Sequence, residues 1–225
     1  MNKIFFKILL SFLIFLSAAN ANKIAVVTKV KGMVEIMPTG KKLFSKLKAG
    51  SILADGDKIR TGTSGFAAII FIDDKSTLKL KGNSEAVITG QRTAASISKK
   101  INMDSGTIRA TIKKQNSSFV IQTPTSVASV KGTDFWLLTD PDKGDQVIGL
   151  EGIVSLKNID TGQDVDVVQG MSGISTPDGD VGVEETVASS IPTDPSESSE
   201  DGPSQFKIYL EGPNGTQKVM VIEYQ

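Results

Sequence analysis

The chain has 225 residues, 39% of them apolar, with 25 basic and 25 acidic side chains and no Cys or His. Lacking those two residue types, it has no disulfide, no Ser-His-Asp or Cys-His nucleophile and no zinc site of the usual ligand sets. It also carries no Gly-rich phosphate loop in a strand-to-helix setting, which leaves a globular chain of ordinary composition with few catalytic options.

Residues 1–21 have the layout of a signal peptide. Lys3 and Lys7 precede an apolar run from Ile8 to Ala18, and Ala19-Asn20-Ala21 is a small-x-small cleavage site. The run is shorter than the ~20 residues of a spanning helix. The expectation is cleavage before Asn22, no transmembrane segment in the mature chain, and a periplasmic or secreted location.

From Ile24 to Ile174 apolar and polar residues alternate with a period of two, the mark of strands with one buried face. Leu78 and Leu80 alternate with Thr77, Lys79 and Lys81; Ile108, Ala110 and Ile112 alternate with Thr107, Arg109 and Thr111. Phe66 to Ile72 is continuously apolar and suits a strand covered on both faces. Gly32, Gly106 and Gly152 each open a similar short strand, a repeated geometry at unequal spacing. No stretch carries a helical stripe with caps. Residues 22–175 are therefore expected to form one all-β domain, built as two packed sheets or a solenoid-like β-roll.

Thr176 to Gln205 holds eight acidic residues, no Lys or Arg, and many Ser, Pro and Gly. Such a composition cannot bury enough surface to offset its ordering entropy, so residues 176–205 read as an acidic flexible linker. Residues 206–225 read as a C-terminal β-hairpin: Phe206, Ile208 and Leu210 alternate, and Pro213-Asn214-Gly215-Thr216 makes the turn.

The neutral total conceals a split. Asn22 to Thr133 carries 19 basic against 7 acidic residues, and Asp134 to Gln225 carries 4 against 18. The two parts are expected to attract one another, with the acidic tail folding back over basic strands and gating access to them. Lys79, Lys81, Lys113 and Lys114 are the candidate partner-binding cations, with Trp136, which points opposite to Phe135 in a strand. A protein or an acidic glycan is the expected partner. Aromatic content of 6% leaves little for base stacking, so nucleic acid is not expected.

Asp55 with Asp57, and Asp73 with Asp74, are the carboxylate pairs a glycosidase would need, but each lies in a turn where Asp bonds local backbone. Asp140, Asp142 and Glu151 occupy three positions of a calcium-loop pattern whose Gly position holds Asp145. No metal, cofactor or catalytic residue is assigned. The carbohydrate-active alternative rests on a carboxylate pair and Trp136.

Phe119 to Leu138 joins two alternating runs through Thr123-Pro124 and Gly132-Thr133-Asp134. With Leu53 to Gly62 (LADGDKIRTG), Ser64 to Leu80, and Leu150-Glu151-Gly152 upstream and downstream, it resembles the FecR domain family over about Ile24 to Ile174. Lys131 stands where that family usually has Arg, and Asp74 where it usually has Gly. The resemblance implies structural roles for Gly56, Asp57, Thr61, Gly62, Thr123, Pro124, Gly132, Thr133, Phe135 and Gly152. It further implies a periplasmic recognition, scaffold or sensory module in envelope signalling, here a freestanding exported form, non-enzymatic, without an anti-sigma segment.

Overall fold

The computed structural model describes residues 22–93, 96–114 and 117–196, and the backbone of 204–211 and 217–224. The expected signal peptide, the hairpin turn and the residues between 197 and 203 lie outside the described residues.

In chain order the strands are β1 (Lys23–Lys31), β2 (Val34–Met37), β3 (Ser45–Lys46), β4 (Ile52–Ala54), β5 (Asp57–Thr61), β6 (Phe66–Phe71), β7 (Thr77–Leu80) and β8 (Glu85–Arg92). A 15-residue strand, β9 (Ile97–Thr111), follows. The second half comprises β10 (Phe119–Gln122), β11 (Ser126–Val130), β12 (Asp134–Asp140), β13 (Gly144–Glu151), β14 (Ile153–Asn158), β15 (Asp164–Val168), β16 (Met171–Ser175) and β17 (Val181–Glu185). A last pair, β18 (Ser204–Glu211) and β19 (Gln217–Tyr224), forms an antiparallel two-stranded sheet of its own, as the alternation there predicts.

The first 17 strands make one continuous ladder. It is folded into two layers that share β9. One layer runs β4-β1-β6-β7-β9-β12-β13-β16-β17. The other runs β3-β2-β5-β8-β9-β10-β11-β14-β15. Every pairing is antiparallel except β9 with β10, which is parallel. The expected all-β class is what the chain adopts, its first 17 strands joined in one large mixed sheet.

The inward residues of both layers form a single core. Leu78 and Leu80 of β7, Phe135 and Leu137 of β12, Ala86 and Ile88 of β8, and Val154 and Leu156 of β14 all belong to it. Phe71 and Phe119, from opposite layers, meet edge to face with ring centroids 5.7 Å apart. Fully burying each such side chain contributes about 1.5–3 kcal/mol. Period-two alternation does the sorting: once Leu78 and Leu80 face inward, Lys79 must face outward.

The chain passes repeatedly between layers, and most passages run through glycine. Gly32 lies between β1 and β2, Gly132 between β11 and β12, and Gly152 between β13 and β14, all with positive φ. The three glycines that open similar strands in the sequence, Gly32, Gly106 and Gly152, are thus corners between layers.

The expected flexible linker is different in part. Val181–Glu185 pairs with β16 along its whole length. Residues 186–196 then return across the outer face of the first layer, with a short 3-10 turn at Ala188–Ser190. The β-domain and its covering segment therefore extend to Ser196, well beyond residue 175. The physical reason is ionic: this stretch has no apolar periodicity, but its carboxylate meets basic side chains far back in the sequence.

Candidate functional site

Strands β7, β9 and β12 are neighbours, and their register aligns Lys79 with Arg109 and Arg109 with Trp136 on the face away from the core. Lys81 follows two residues after Lys79. Its ammonium lies 5.6 Å from the Trp136 ring centre, and the Arg109 guanidinium lies 5.8 Å from it. The result is a row of cations over an indole.

Residues 192–196 cross this row as a strap. The Asp194 carboxylate accepts from Lys79 Nζ at 2.7 Å and from Arg109 Nη1 at 3.0 Å. Lys79 Nζ also donates to Ser196 Oγ at 2.8 Å. Lys81 Nζ donates to the Thr193 carbonyl at 3.0 Å, and Lys31 Nζ to the Pro195 carbonyl at 3.1 Å. Asp194 in turn accepts from the amide and hydroxyl of Ser196, closing a small Asx turn. The Asp194 side chain is 1% exposed, and Trp136 is likewise buried.

Arg109 is anchored independently of the strap. Its Nε and Nη2 donate to the two oxygens of Asp134 at 3.0 and 2.9 Å, a bidentate pair that fixes the guanidinium plane.

Burial raises the Asp194 pKa, but the bonds from Lys79 and Ser196 outweigh it and hold the group at about 2, below the usual 3.8. A depressed carboxylate stabilises docking above its ordinary pKa and loses that contribution as pH falls through the folded value. Acrylamide quenching of Trp136, the single tryptophan, is therefore expected to stay flat at neutral pH and rise between pH 3.8 and about 2. A rise that coincides with loss of the far-UV β signal would instead report global unfolding.

The expected partner residues thus divide. Lys79, Lys81 and Trp136 come together: the two lysines are half-buried and hold the strap, and Trp136 is buried beneath Lys81 and Arg109. Lys113 and Lys114 stay exposed beyond the end of β9, beside the Gly132 corner, outside the strap's contacts. Lys31, Arg109, Asp134, Asp194 and Ser196 were not singled out from the sequence. Arg109 had a local signal, an outward-facing cation between buried Ile108 and Ala110; Asp194 had no local one, only its place in the acidic tail expected to fold back over basic strands.

The residues carrying the family signature shape corners and turns. Asp57 is buried and accepts from the amides of Thr39 and Ala54 at 3.0 and 2.9 Å, across the turn at Gly56. Thr61 Oγ1 bridges the Lys81 carbonyl and the Ser84 amide, and the Gly62 amide bonds Met33. Thr123 Oγ1 accepts from the amides of Thr125 and Ser126 and donates to buried Asp145, just before exposed Pro124. Thr133 exchanges two backbone bonds with Ile112, and Phe135 fills the core.

The carboxylate pairs are also committed to structure. Asp55 accepts from Gly90 N, and Asp74 from the amide and hydroxyl of Ser76. Asp73 and Asp74 share buried Lys99 Nζ at 2.8 and 2.9 Å. Asp140 closes its own turn with the Asp142 amide, while Glu151 ends β13 exposed.

Comparison with known proteins adds a family. Residues 57–155 match the family model described as FecR protein. No curated protein is significantly similar to the chain. Two crystal structures described as a "putative anti-sigma factor" from Parabacteroides distasonis share 12% and 14% identity with it, at TM-scores of 0.49 and 0.47. Each match covers 57% of this chain and 59% of the other.

Proposed function

Residues 57–155 are a FecR domain, and on that premise we propose that the chain is a non-enzymatic recognition module of the bacterial envelope, exported to the periplasm or beyond. Its contact surface is the outer face of the first layer, and its partner is a protein. One observation carries this reading: the row of Lys79, Lys81, Arg109 and Trp136 already holds a stretch of polypeptide through side-chain donors. The layout of residues 1–21 supports export. The carbohydrate-active alternative has less to stand on, because Asp55, Asp57, Asp73 and Asp74 are bonded to backbone amides or Lys99 and Trp136 is buried.

The test is capture of partners from envelope fractions by the full mature chain and by its Lys79→Glu/Arg109→Glu variant, at low and high salt. A protein retained by the parent at low salt, and lost both in the variant and at high salt, is the expected result. Equal retention by the two chains, or turnover of a metabolite by the purified protein, would refute the reading.

A further inference from the structure

We infer that the strap is a resident stand-in for the partner: the face of Lys31, Lys79, Lys81 and Arg109 takes an acidic peptide that turns at an Asp followed two residues later by Ser, and such a peptide binds by displacing residues 192–196. This rests on the recognition role proposed above and adds the chemistry of the partner and the element that guards its site.

Three observations carry it. The first is what the face reads. Two cations hold one carboxylate, Lys79 also reaches a hydroxyl two residues on, and Lys81 and Lys31 each hold a backbone carbonyl. Carbonyls belong to any peptide, so Asp and Ser, held in an Asx turn, are the side chains by which these bonds select a sequence.

The second is how the strap is held. It joins neither layer of the ladder, and four basic side chains hold it to this face across 85 to 164 residues of sequence. An element held by such contacts opens at lower free energy than the ladder beneath it, and more readily as salt rises.

The third is that the site outlasts the strap's departure. Arg109 stays clamped to Asp134, Lys79 and Arg109 project from paired strands, and Trp136 is fixed by its own register on β12. A displacing peptide meets donors already in position and loses little to reorganisation.

The experiment uses the full mature chain, its Asp194→Ala variant, and a synthetic peptide of residues 190–197 with capped ends. In the variant, Trp136 should be quenched by acrylamide several-fold more strongly than in the parent. The peptide should restore protection saturably, less so as salt increases. It should bind the variant more tightly than the parent, whose strap competes. A peptide with Ala in place of its Asp should bind about tenfold more weakly or worse, the loss expected of a charge-assisted bond. Lys79→Met in the same background, with unchanged circular dichroism, should abolish the protection.

Unchanged quenching in Asp194→Ala, or no saturable protection by the peptide, overturns the inference. So does equal protection by polygalacturonate, which would make the face a general polyanion site. Concentration-dependent dimers of the parent chain that exchange straps would make a second copy the occupant. Peptide binding without capture of any envelope protein would sink the recognition role alone. Capture that excess peptide does not compete away would sink this inference alone.

Discussion

Lys99→Met is expected to destabilise the folded protein by about 3–5 kcal/mol, the range seen when one partner of a buried ion pair is removed, read as a lower urea midpoint at unchanged slope. Lys99 points inward from β9 between Ile97 and Ile101 and is fully buried. Its ammonium lies between Asp73 and Asp74, at 2.8 and 2.9 Å, and 5.3 Å from the Phe71 ring centre. Methionine fills the same volume but leaves two largely buried carboxylates without a cation. Burial raises the Asp73 pKa, yet the Lys99 and Ile97 bonds prevail and hold it below 3.8. That contribution is present above the ordinary carboxylate pKa and lost as pH falls through the lower folded value. The gap between parent and variant should therefore narrow as acid protonates the stranded carboxylates. The triple variant Asp73→Asn/Asp74→Asn/Lys99→Met should recover much of the loss; no recovery would mean that Lys99 acts through packing alone.

Gly106→Ala is expected to cost about 3 kcal/mol or more, combining backbone strain with a close contact. Gly106 has φ +109, and a Cβ there would stand 2.4 Å from Ser84 Cα. Ser84 cannot withdraw, because it is buried and exchanges bonds with Thr107 through its hydroxyl. Gly170 supplies the control. It has φ +79 with nothing within 4 Å of the added carbon, so Gly170→Ala should show only the left-handed backbone cost of about 1 kcal/mol. Equal midpoints for the two variants in urea would remove the steric argument.

Most of the fold was legible because one local rule governs it. Leu78, Leu80, Ile108 and Ala110 alternate in sequence and are buried in the structure, and Phe66 to Phe71 is covered nearly throughout. The orientation of Trp136 opposite Phe135 followed from the same rule. What alternation could not reveal was the covering of the outer face. Lys79 and Lys81 look like solvated positions locally and become a binding row only when Asp194, 115 residues away, lies over Lys79. The strap has no apolar pattern, so composition made residues 176–196 resemble a linker. Lys99 escaped notice for the opposite reason: its position in the alternation placed it inward, and the carboxylates that make this tolerable belong to a distant turn.

The long ninth strand has a kinetic consequence. Everything before it builds one end of both layers, and everything after it builds the other. Until it is laid down, β7 and β8 each present a bare edge. A single segment closes both edges together, so little is gained until most of its bonds form at once. Refolding should consequently be slow and nearly all-or-none, as expected where partners are far apart along the chain. Residues flanking Gly106 are where a mutational survey of the transition state should find its highest values.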